Sequence, residues 1–195
     1  MKSFKTLLKE SVAPPVTFHK KMNPVPEGVG DKPFRSWHPP LDWSKVEGQN
    51  HAIKEPPLPK VACKKLASGL VMHEPDGRVW LAKPANAFGG YKHTFPKGKV
   101  EPGLHPQANA IKEAFEETGL KGKITGHAGD AEGDTSITRY YHATRESGHP
   151  LDHGWESEGV SLVHPDHLHK FLNRSRDRKF AQDKLKAYMP HTNDE

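Results

Sequence analysis

Residues Gly98 to Leu120 read G-K-V-E-P-G-L-H-P-Q-A-N-A-I-K-E-A-F-E-E-T-G-L. At about 100° per residue, positions i, i+3 and i+4 of a helix share one sector of its surface. The spacing therefore predicts Glu113, Glu116 and Glu117 on one side, with Ala108, Ile111 and Phe115 on the other. Pro106 suits the first turn of such a helix and Gly119 the position just past its end. Gly98, Pro102 and Gly103 ahead of it predict a tight loop rather than a strand. Carboxylates gathered on one side repel unless something cationic sits among them. A hard divalent cation that prefers oxygen ligands and bridges to phosphates answers that need.

These residues resemble the signature of the Nudix hydrolases, G-x5-E-x7-R-E-U-x-E-E-x-G-U, in which U is a bulky aliphatic residue. Gly98, Glu113, Glu116, Glu117, Gly119 and Leu120 stand in register with it. Leu104 stands in place of the first Glu, Lys112 in place of the Arg, and Ala114 is a small version of the aliphatic. The Glu and Arg of the family brace loop against helix, so losing the first weakens the need for the second. The strings F-P-K-G, T-R-Y-Y, W-E-S-E and G-V-S-L-V extend the similarity on both sides.

The resemblance implies cleavage of a pyrophosphate bond in a nucleoside diphosphate linked to another moiety, with Mg2+ as cofactor and Mn2+ as a substitute. It implies Glu116 and Glu117 as metal ligands, the Gly98 carbonyl as another, and Glu113 as a third carboxylate ligand or the general base. Some members take the base from a later loop, where Glu156 matches, with Glu158 as its rival. Lys97 and Lys99 flank Gly98 and read as point charges for phosphate oxygens. Arg139 reads either as a phosphate clamp or as a cross-sheet partner. Tyr140 and Tyr141 alternate on one strand, which predicts one in the core and one, Tyr141, stacking on a base.

The loop F-P-K-G-K-V-E-P-G resembles that of dinucleoside polyphosphate and inositol pyrophosphate members. The absence of proline between Pro106 and Pro150 argues against the ADP-ribose group. Removal of a 5′ cap or pyrophosphate from RNA is the alternative, followed by a non-catalytic nucleotide-binding module.

Around this segment, the strand-like runs L-A-S-G-L-V-M-H and R-V-W-L-A, from Leu66 to Ala82, predict two strands about E-P-D-G. K-I-T-G-H-A-G, S-I-T-R-Y-Y-H-A-T and G-V-S-L-V-H predict three more. A helix is expected to begin at Pro165 and a last one to cover Lys179 to Tyr188. The fold class is α/β, a Nudix-type α/β/α sandwich with a mixed sheet and a Pro-rich N-terminal extension. Residues 1–57 are read as that extension and 58–195 as the hydrolase domain with its C-terminal helices. Ten of the 18 prolines fall in the first 60 residues. Within the extension, Met1–Ser11 reads as a short amphipathic helix and Ser11–Asp31 as linker or coil. Phe34, Trp37 and Trp43 predict a segment that wraps onto the main domain.

The formal charge of +5 suits polyanionic ligands without naming nucleic acid, which is not favoured. The expected partner is a small nucleotide or polyphosphate, and a homodimer is compatible with the chain. No run approaches the roughly 20 apolar residues that span a bilayer, and the N-terminus lacks a secretory pattern, so a cytoplasmic location is expected. The single cysteine, Cys63, is read as a buried structural thiol. Of 14 histidines, the run His164–His169 is densest, but a helix start within it disfavours a metal site.

Overall fold

A computed structural model describes residues 12–190. The amphipathic helix expected over Met1–Ser11 lies outside the described residues. In chain order the strands are β1 (Val16–Phe18), β2 (Gly28–Val29), β3 (Lys32–Pro33), β4 (Lys65–His73), β5 (Val79–Pro84) and β6 (Lys97–Lys99). Helix α1 (Pro106–Thr118) follows, then β7 (Leu120–Glu132), β8 (Ser136–Gly148), β9 (Ser157–Val163) and helix α2 (Ser175–Leu185).

The main sheet runs β1-β9-β5-β4-β8-β7, with β6 inserted against β4. Only β4 and β8 pair in parallel, so the sheet is mixed. β5 touches β4 only at Val79 and His73, near their shared turn, and then diverges. The gap admits β6, which pairs Lys97, Gly98 and Lys99 with Gly69, Ser68 and Ala67. The segment expected to be a loop is thus a short strand around Gly98, because splayed neighbours offer it a ladder.

Period-2 alternation divides the interior into two layers. Leu70, Met72, Trp80, Tyr141, Val160 and Leu162 face α1 with Ala108, Ile111 and Ala114. Val71, Val79, Leu81, Tyr140 and Val163 face the other way, onto Phe180 and Ala181 of α2 and onto Leu168 and Leu172. Each fully buried aliphatic side chain of this kind contributes about 1.5–3 kcal/mol.

Part of the stretch read as linker joins the sheet. Val16, Thr17 and Phe18 pair with Leu162, Ser161 and Val160, and Phe18 packs on Trp80 and Phe34. Trp37 and Trp43 close over Phe115, with ring centroids 5.0 and 6.2 Å away. Residues 16–57 therefore cover α1 with aromatic rings and complete the core on that side. The helix expected from Pro165 is a single 3-10 segment, Pro165–Lys170, capped by His164 through Asp166 N–H. The last helix starts earlier than expected, at Ser175, and ends at Leu185. Cys63 is exposed, in a left-handed turn at φ 65°, and not buried.

Candidate active site

His105 caps α1 by accepting from Gln107 N–H at 3.1 Å, and Pro106 occupies the first turn. The helix stops at Gly119, left-handed at φ 72°, whose N–H bonds Phe115 O. A Cβ there would also strike the backbone of His149, Asp152 and His153. That close approach lets the loop after β8 dock on the helix end. His149 N–H donates to Gly119 O at 3.1 Å and Gly154 N–H to Glu116 O at 2.7 Å. Glu156, two residues on, is thereby carried to the acidic side of α1. Its own carbonyl accepts from Ala85 N–H at 2.8 Å, tying the loop to the end of β5.

On the other side of the helix, β6 sets Gly98 opposite Ser68. A Cβ at 98 would collide with the Glu113 carboxylate, so glycine is what admits Glu113 against the strand. Asn109, fully buried, joins strand, loop and helix. Its amide donates to Ser68 Oγ at 3.1 Å and Gly98 O at 3.3 Å, while its carbonyl accepts from Glu101 N–H at 3.1 Å. Nothing in residue pattern marks Asn109 beyond its place on the helix.

Glu117 accepts from Lys97 N–H at 2.9 Å. Burial pushes its carboxyl up to about 8, against the pull of Lys97, with Glu113 and Glu156 adding to the rise. Burial also pushes Glu113 up to about 7, against the pull of Lys112, with Glu116, Glu156 and Glu101 adding to the rise. Two carboxyls are thus drawn out of water beside further acidic neighbours. Glu116 is the exposed member, held by Lys112 at 2.9 Å. Lys112 equally binds Glu101 at 2.9 Å. Hydrogen bonds to Glu116 and Glu101 overcome its burial and push it up to about 12. The loop-to-helix brace expected to lapse with Leu104 is therefore present, rebuilt from Glu101 and Lys112.

The sequence profile of the NUDIX domain matches residues 64–184, well over half of the chain. The chain belongs to the Nudix hydrolase family. Its fold is similar to that of a NUDIX hydrolase from Nitrosomonas europaea, at TM-score 0.55 and 15% identity over 66% of this chain and 93% of that one. An Ap4A hydrolase of C. elegans is similar at TM-score 0.52 and 19% identity, over 63% of this chain and 96% of that one. An RNA pyrophosphohydrolase of Caulobacter vibrioides is 40% identical over 52 residues, which is 27% of this chain and 30% of that protein.

Among the described residues of this Nudix hydrolase, no three His, Cys, Asp or Glu side chains form a ready cage for a metal. The donor set present is all oxygen, the kind that fits a hard divalent cation. Glu113, Glu116 and Glu117 offer carboxylate oxygens, and the Gly98 carbonyl, which also accepts from the Asn109 amide at 3.3 Å, adds a neutral oxygen beside them.

Other residues singled out in the sequence are placed differently. Arg139 is buried and saturated. It forks onto Asp130 at 2.8 and 2.9 Å and donates to the carbonyls of Pro56 and Pro57. It is a cross-sheet partner that also fastens residues 55–57, with no donor left to clamp a phosphate. Tyr141 is buried on the α1 side, its hydroxyl donating to Glu55 at 2.8 Å, so it cannot stack on a base. Tyr140 is buried on the opposite side, because both faces of this sheet are covered. Glu158 pairs with Lys83 at 2.9 Å and is turned away from the cluster. Trp155, next to Glu156 in sequence, is 86% accessible. Its place in a polar loop, G-W-E-S-E, was the available signal.

Proposed function

We propose that this protein hydrolyses a pyrophosphate bond in a nucleoside diphosphate linked to another moiety, with a dinucleoside polyphosphate-like compound as its substrate. The observation that carries the reading is the placement of Glu113 against Gly98 and of Glu117 on the Lys97 N–H, with Glu156 close enough to add to the rise of both carboxyls, beside the cationic strand Lys97–Lys99. Glu113, Glu116, Glu117 and the Gly98 carbonyl would hold Mg2+, with Mn2+ as a substitute. Bound there, the ion neutralises phosphate charge and makes water more acidic.

The chain's own groups do the rest. Lys97 and Lys99 sit on β6 to balance phosphate oxygens beside the cluster. Glu156, exposed on a loop fastened at both sides, is the base that takes a proton from the attacking water. Glu113, wedged against Gly98, keeps the carboxylates in register with the strand. Trp155 offers a face for a nucleobase.

Incubation with Mg2+ and a panel of pyrophosphate compounds tests the reading, with products identified by mass. Oxygen-18 water shows which phosphorus is attacked. Turnover that is lost in Glu117→Gln, with the fold retained, is the expected result. No turnover of any compound with Mg2+ or Mn2+ would sink the proposal and leave a nucleotide-binding module. The match to the Caulobacter protein supports a second reading, in which the substrate is the 5′ end of RNA. Preference for long RNA over free nucleotide, with steep salt dependence, would favour that reading.

A further inference from the structure

Lys97 belongs to two places at once. Its backbone N–H holds Glu117, while its ammonium lies 4.8 Å from the centre of the Tyr91 ring. Arg174, just ahead of α2, brings its guanidinium to 5.3 Å from the same centre. Arg176, one residue into the helix, donates to the Tyr91 hydroxyl at 2.9 Å. Cations from β6 and from the start of α2 thus converge on one phenol. Lys97 and Arg174 are attracted to the ring face, yet the three cations repel one another.

These groups line a groove of about 790 Å3, together with Lys179 and residues 132–136. The acids around it are mostly engaged. Glu132 pairs with Lys64 at 2.5 Å. Asp177 is buried beneath, accepting from Thr94 at 2.9 Å and lying 3.5 Å from Arg176. Lys179 is itself shared with Asp183 at 2.7 Å, which leaves Asp134 as the groove's other carboxylate. Arg174 makes no side-chain cap, so the first N–H groups of α2 add their partial positive charge to the same end. Behind the lining, near Arg176 and Tyr91, the fully buried Tyr140 hydroxyl has no hydrogen-bond partner among the described residues.

The lining is cationic and polar rather than apolar, which selects phosphate over a base or sugar. We propose that this groove binds the phosphate groups of the substrate that are not cleaved. The preferred substrate then carries a chain or cluster of three or more phosphates. A nucleotide sugar, with only two phosphates, would occupy the carboxylate cluster and leave the groove empty. The word substrate rests on the proposed pyrophosphate cleavage; the binding does not.

Inorganic tripolyphosphate, titrated calorimetrically into the full chain in EDTA, is the probe. Arg174 and Lys179 are exposed, so their charge reversals spare the core. Wild type binds, and Arg174→Glu weakens binding about tenfold or more, equivalent to about 1.4 kcal/mol. Lys179→Glu weakens it less, and Glu116→Gln retains it. Thermal melting checks that each variant is folded. Absent binding by wild type, or equal binding by wild type and Arg174→Glu, overturns the groove, whatever hydrolysis shows. Equal kcat/KM for a diphosphate and a tetraphosphate substrate overturns it too. Tripolyphosphate binding without turnover of any pyrophosphate compound upholds the groove and defeats the cleavage reading instead.

Discussion

Glu74 and Glu117 are both carboxylates drawn into the protein, and their surroundings are opposite. Glu74 meets the buried guanidinium of Arg145 in a close ion pair and accepts from Trp80 Nε1 at 2.9 Å. Arg145 in turn donates to the carbonyls of Lys32 and Pro33, each at 3.0 Å, and stacks over Phe34. Every polar atom there is spent on holding residues 32–34 to the sheet. Among the described residues, Glu117 has one backbone N–H as a direct partner, and burial with two acidic neighbours raises it against the pull of Lys97. A charge with its partner built in serves the fold. A charge short of a partner costs stability and is kept where a ligand supplies what is missing.

The largest effect expected from this contrast is on turnover. Glu117→Gln should lower kcat by at least roughly 10–100-fold, the loss typical when even a supporting partner of a metal site is removed. Its melting temperature should hold, because a carboxyl raised to about 8 is already mostly neutral at pH 7, as the amide is. Mg2+ should raise the melting temperature of wild type, as a ligand bound only by the native state does, and should do so less for the variant. A fall in stability with no loss of activity would place Glu117 with Glu74, among structural groups.

Arg145→Ala should do the reverse. Leaving Glu74 buried and unpaired costs about 3–5 kcal/mol, read as a lowered denaturation midpoint. Surviving folded protein should keep its KM, since Arg145 serves the α1 side of the sheet through residues 32–34. A changed KM at unchanged stability would erase the distinction between the two regions.

Much of this was legible in the sequence, for reasons that can be named. Continuous apolar runs such as Leu70 to Met72 and Val79 to Leu81 announce strands because each face of the sheet is covered by a helix or a strap. The acidic helix is legible because Pro106, Gly119 and the Glu spacing agree. β1 was not, since Val16–Phe18 is too short to show a period and becomes a strand only by pairing with β9. Arg139 and Tyr141 were misplaced for a related reason. Their partners, Glu55 and the carbonyls of Pro56 and Pro57, lie more than 80 positions away and come into reach only once the strap has wrapped. Glu101 replacing the brace at Leu104 was hidden because a salt bridge depends on where a loop folds back, not on register with a motif.

Trp155 sharpens the contrast on the ligand side. It stands 86% exposed beside Glu156, while Trp80 is fully buried beside Glu74. Trp155→Ala should raise KM for a nucleoside-bearing substrate about tenfold, within the roughly 1–3 kcal/mol of base stacking, and leave the melting temperature in place. An unchanged KM would remove the nucleobase from that side of the site.

The smallest effect concerns histidines set between strands. His73 Nε2 and His142 Nδ1 are 2.8 Å apart across the parallel β4–β8 pair. Burial, reinforced by His142, lowers His73 to about 4. Burial likewise lowers His142, with His127 contributing. The unfolded chain then holds more protons than the native one between about pH 6.5 and 4, so stability should fall as pH falls through that window. The half-buried imidazole is screened by solvent, which limits the loss to about 1 kcal/mol. His73→Asn should flatten that part of the pH–stability curve without touching turnover at neutral pH. The same slope in variant and wild type would assign the acid sensitivity elsewhere, with His93 the next residue to test, since its burial also lowers it to about 4.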